Sequence, residues 1–132
     1  MLFQIPTYYA YTNNMYVVAA STCITSLLSI NYWRNPVYSW RRTADMYWAQ
    51  IVGSIYFVWG CKHGGGHLGV PLTIIMVWLY WQSCKLSKIN PQEKWYIYHM
   101  LFHCSVTLNQ CISIYYFLQK KLCDTGIEPV NG

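Results

Sequence analysis

The sequence predicts an all-α integral membrane bundle of about four transmembrane helices, and three observations predict it. The 132 residues are 55% hydrophobic and only 10% charged, where a typical water-exposed domain carries about 25% charged residues. The charges are clustered, so that long uncharged windows separate them. Polar, Gly- or Pro-containing segments punctuate those windows. The same composition excludes a disordered chain, which needs low hydrophobicity and many charges.

Residues 1–33 carry no charge, 16 uncharged residues separate Asp45 from Lys62, 22 separate Lys62 from Lys85, and 25 separate Lys94 from Lys120. A spanning helix needs about 20 mostly apolar residues. The windows place spans at about 8–31, 43–61, 67–84 and 94–118, in one transmembrane domain over 1–122 with a polar tail over 123–132. The first span ends before Pro36, because a residue preceding proline disfavours the helical region. Lys62-His-Gly-Gly-Gly-His67 reads as a turn. Lys85-Leu-Ser-Lys-Ile-Asn-Pro91 reads as a polar loop with a proline stop.

Arg34, Arg41, Arg42, Lys85, Lys88 and Lys94 flank one face and Lys62, Lys120 and Lys121 the other. The positive-inside rule then puts loops 32–42 and 85–93 in the cytosol and both termini opposite. Trp33, Trp40, Trp78, Trp81 and Trp95 gather near the cytosolic face and Trp59 near the other, as an interfacial aromatic belt does. The net charge of +5 lies beside the spans. It reads as orientation and attraction to lipid headgroups, not nucleic-acid binding. The expected partners are the lipid bilayer and other membrane proteins or further copies of the chain.

Four polar side chains reach similar depth. Ser29 precedes Arg34 by five residues, Asp45 follows Arg42 by three, and His99 and His103 follow Lys94 by five and nine. At about 1.5 Å per residue, all four lie within about 5–14 Å of one face. His99 and His103 are spaced i, i+4, which puts both imidazoles on one helix face. That suits two ligands of a tetrahedral zinc, and it equally suits hydrogen bonds across a bundle. Asp45 is either an intramembrane acid facing the interior or a helix-start carboxylate held by the dipole and by Arg41 or Arg42.

His63 and His67 repeat the spacing on the opposite face, in a turn that lacks the Lys-Ser/Thr of a phosphate loop. No Cys-x-x-Cys metal motif occurs. Cys61 and Cys123 fall near the same face, where a disulfide is one option. Asn109 and Gln110, mid-span, are expected to bond between helices.

Taken in order, Ser29, Asp45, His99 and His103 resemble the site of the CREST membrane hydrolases, the superfamily of alkaline ceramidases and progestin/adiponectin receptors. That family carries Ser-x-x-x-His near one helix end, an Asp at the start of the next helix and His-x-x-x-His on a later one. The resemblance implies zinc held by histidines, with Ser29 and Asp45 positioning and activating water. Trp33 stands where the family has its first His ligand, and this chain has about four spans where the family has seven. Residues 33–45 are also similar to small membrane proteins of large DNA viruses and algae, a likeness that carries no activity.

With that ligand missing, the first expectation is a small multi-pass scaffold or accessory subunit without catalysis. The second is a zinc-dependent intramembrane hydrolase of a lipid amide or ester, with Ser29 and Asp45 catalytic and His99 and His103 on the metal. The third is a proton or ion pathway component.

Overall fold

The structure, a computed structural model, describes residues 4–34, 40–89 and 95–125. The proline stops at Pro36 and Pro91, Lys94 and the tail beyond Thr125 lie outside the described residues. The described residues are all-α, with α1 (Gln4–Thr12), α2 (Tyr16–Trp33), α3 (Trp40–Lys62), α4 (Gly66–Ile89) and α5 (Trp95–Asp124). The chain forms two compact units, Met1–Ile55 and Tyr56–Gly132.

The first expected span, 8–31, is two helices. Asn14 takes φ 59°, a left-handed conformation that Asn tolerates better than most residues. The Asn13 side chain donates to the Tyr9 carbonyl at 2.8 Å, and the Met15 amide closes on the Ala10 carbonyl at 2.9 Å. The chain therefore reverses, and α1 packs on α2, with Thr7 Oγ1 donating to Thr22 Oγ1 at 2.8 Å.

The other helices outrun their expected bounds. α3 takes in Trp40–Arg42 and α4 takes in Lys85–Ile89, so these stretches are helix rather than parts of loops 32–42 and 85–93. α5 continues through Lys120 and Lys121 to Asp124. Lys and Arg end an apolar window, but they are good helix formers.

No helix among the described residues is long and apolar enough to cross a membrane, which departs from the four expected spans. Length alone is adequate in α3, α4 and α5, at 23, 24 and 30 residues. Polarity is what differs. Hydroxyls, carboxamides and tyrosines interrupt the aliphatic residues of these helices, α3 carries four charges and α4 and α5 carry imidazoles, and the mean falls.

On α2 and α5 the polar residues occupy one stripe. On α2 the buried positions include Thr22, Thr25, Ser26 and Ser29, spaced i, i+3, i+4, i+7, while Val17, Ile24, Leu27 and Ile30 are exposed. On α5, His99, His103, Gln110 and Ser113 are buried, and Ile97, Leu101, Leu108 and Tyr115 are exposed. Ordinary folding buries aliphatic side chains and exposes polar ones. Here the buried stripes are mainly polar, with Ala19 and Tyr32 on α2 and Val106 and Ile114 on α5 as the apolar members.

Within the second unit, small residues let backbones approach. A Cβ on Gly60 would sit 2.8 Å from Ser113 Oγ, and one on Gly65 would sit 3.1 Å from Tyr116 Cδ2. Gly64 turns the chain between α3 and α4 at φ 91°, where a Cβ is strained. α4 packs along α5 through Trp78 on Tyr98 and Tyr80 on Phe102.

Candidate functional site

In the first unit, α2 and the start of α3 bring Ser29 and Asp45 together. Ser29 Oγ donates to Asp45 Oδ1 at 2.9 Å, with both residues buried. Sixteen positions apart in sequence, one lies near the end of α2 and the other near the start of α3. One turn deeper, Trp48 Nε1 donates to Thr25 Oγ1 at 3.0 Å. Thr25 and Trp48 thus repeat the Ser29–Asp45 link at i−4 and i+3, and the two helices are joined by a polar pair at two successive turns.

Because α3 starts at Trp40, Asp45 is its sixth residue, and no acid lies in its first turn. The helix dipole acts mainly within that turn, so it does not account for Asp45. Energetics do not account for it either. A hydrogen bond to a charged group contributes about 1.5–3 kcal/mol. Taking a carboxylate out of water costs several kcal/mol. The hydrogen bond from Ser29 offsets part of that cost.

In the second unit, α5 carries His99 and His103 on its buried stripe, at 8% and 5% exposure. Their ring centroids are 4.6 Å apart, with planes at 76°. Trp95 and Phe102 edge the pair, at 6.1 and 5.9 Å from His99. The donor set fits part of a zinc site: two adjacent imidazoles on one helix, screened from water by aromatic rings, are what a tetrahedral nitrogen site requires of one helix. Trp33 sits at the end of α2 with its ring against Tyr32, 5.4 Å away, and an indole offers no ligand atom.

The Ser29–Asp45 pair and the His99–His103 pair belong to different compact units. His63 and His67 are occupied elsewhere. His63 Nδ1 donates to the Trp59 carbonyl at 2.7 Å, and its ring packs on Phe117 at 5.0 Å. His67 Nδ1 donates to the Gly64 carbonyl at 3.0 Å, while its Nε2 accepts from the Tyr116 hydroxyl at 2.9 Å. These bonds brace the α3–α4 turn against α5. Cys61 and Cys123 are exposed free thiols, not a disulfide.

Two features escaped the sequence reading. Trp48 is the tryptophan that fits neither face of the aromatic belt, and that misfit was the available signal for its bond to Thr25. Gln110 was expected to bond between helices, yet its carboxamide has no hydrogen-bond partner among the described residues. Compared with protein-family models, curated proteins and solved structures, the chain matches none.

Proposed function

We propose that this chain is a multi-pass membrane protein with a polar interior, and that it hydrolyses an ester or amide bond of a lipid with the help of zinc. One observation carries the reading: Val17, Ile24, Leu27, Ile30, Leu101 and Leu108 are exposed while Thr22, Ser29, Asp45, His99 and His103 are buried. Lipid accepts the first group, and only an enclosed interior accepts the second. α2, at 18 residues, is within the range of a spanning helix, about 17–25, and α3 to α5 reach or exceed it.

Ser29, Asp45, His99 and His103 are assigned to one centre by their shared depth in the sequence, about 5–14 Å from one face, and by the resemblance to CREST hydrolases. His99 and His103 would hold the metal. What zinc contributes when bound is Lewis acidity, which polarises a carbonyl and lowers the pKa of water toward neutrality. Asp45 takes the proton from the attacking water as general base. Ser29, donating to Oδ1, holds the carboxylate so that its other oxygen is presented to that proton. The screened interior keeps the proton on Asp45 until the leaving group takes it.

Trp33 favours a second reading, a scaffold or accessory subunit without catalysis, because it replaces a third imidazole. That reading expects no metal and unchanged behaviour of His99→Ala. The test has two stages. Alkaline carbonate washing of membranes from cells expressing the full chain should leave it in the pellet; recovery in the wash would sink the membrane assignment. The purified protein, incubated with mixed ester- and amide-linked lipids, should release fatty acid. Release that does not exceed a blank for every lipid tried would remove the hydrolase.

A further inference from the structure

We propose that Thr107 and Gln110 on α5 bind ordered water in the interior and hold it as the supply for hydrolysis. Gln110 is 2% exposed, and neither its Nε2 nor its Oε1 has a hydrogen-bond partner among the described residues. Thr107, at 7% exposure, has an Oγ1 in the same condition. The two residues are three apart on one helix, so their side chains are neighbours. Three buried polar atoms in so small a space are uncommon, since buried polar groups in folded proteins are almost always paired.

The chemistry of the three atoms selects the ligand. Nε2 only donates, Oε1 only accepts, and the threonine hydroxyl does either. A metal cation would satisfy the oxygens and oppose the amide hydrogens. An anion would satisfy the amide hydrogens and oppose Oε1. Water donates and accepts, and buried water makes about three hydrogen bonds to groups of this kind.

Place completes the inference. Gln110 lies seven residues beyond His103 on the buried stripe of α5. Two turns of helix separate them, about 10 Å along the axis, a gap that a short file of water molecules spans. A hydrolase buried in lipid has no bulk water beside it, and one molecule is consumed at each turnover. The supply role rests on the hydrolase reading; the water site itself does not.

The full chain in detergent micelles, labelled with nitrogen-15 at glutamine side chains, gives the test. The Gln110 side-chain amide, identified by its loss in Gln110→Leu, should show a cross-peak to water. Thr107→Val keeps the shape of the side chain and removes the hydroxyl; it should weaken that cross-peak at least twofold and serves as the readout should Gln110→Leu not fold. Turnover of Gln110→Leu should fall at least tenfold with metal content unchanged. No water cross-peak in the wild type overturns the site. A cross-peak with full turnover in Gln110→Leu overturns the supply role. A wild type that hydrolyses no lipid defeats the hydrolase reading and the supply role together, and the cross-peak still decides the water site.

Discussion

Detergent-purified protein should carry about one zinc ion per chain, and the His99→Ala/His103→Ala double variant should carry none. The expectation rests on α5 holding both rings buried and 4.6 Å apart, so that a metal recruits two ligands from one rigid element without reordering the chain. Each single substitution removes one of those ligands and should lower metal affinity by more than about a hundredfold, beyond the roughly 10–100-fold that loss of a supporting contact costs. Metal analysis of size-exclusion peaks, with circular dichroism to show that α5 persists, measures both. A wild type free of zinc after purification without chelator would remove the metal from the mechanism and leave the scaffold reading in place.

Asp45→Asn should lower lipid turnover by about 10²–10⁴, the range associated with loss of a general base. Asparagine keeps the shape of the side chain and an oxygen that accepts from Ser29 Oγ, so membrane retention and metal content should not change. Ser29→Ala removes only the group that orients the carboxylate, and its loss of turnover should be the smaller of the two. The comparison is made on kcat, since neither residue is assigned a part in substrate binding. Equal turnover in Asp45→Asn and wild type would remove Asp45 from the chemistry.

The helical content, the register of Ser29 with Asp45 and the adjacency of His99 and His103 were legible in the residues, and the reasons are specific. Uncharged windows located α3, α4 and α5 because charge placement marks where an apolar stretch must stop. The same marks misplaced the helix ends, since Lys85, Lys88, Lys120 and Lys121 interrupt apolarity without interrupting backbone hydrogen bonding. The reversal at Asn13–Asn14 was hidden for a related reason. Two asparagines barely lower the apolarity of a long window, yet one left-handed residue ends a helix. Ser29 and Asp45 were matched by depth counted from Arg34 and Arg42, and their hydrogen bond follows from that register. Thr25 and Trp48 share the register, but Trp48 lies outside both groups of interfacial tryptophans, and spacing does not name a partner for its indole. The unpaired state of Gln110 could not be read from spacing, because it depends on what fails to reach the carboxamide.

The polar buried stripes of α2 and α5 bear on how this protein comes apart. Heat-capacity change and denaturant sensitivity both scale with the surface that unfolding newly exposes. Apolar exposure raises the heat capacity and polar exposure lowers it. Here Val17, Leu27, Leu101 and Leu108 already face outward in the folded chain, while hydroxyls, a carboxylate, imidazoles and carboxamides are a large share of what unfolding would release, beside a small apolar core that includes Val106 and Ile114. Calorimetry in detergent should therefore give a heat-capacity increment well below the roughly 12–15 cal/mol/K per residue of ordinary domains. Stability should then vary little with temperature over a wide range, and the cold limit that hydrophobic cores impose should recede.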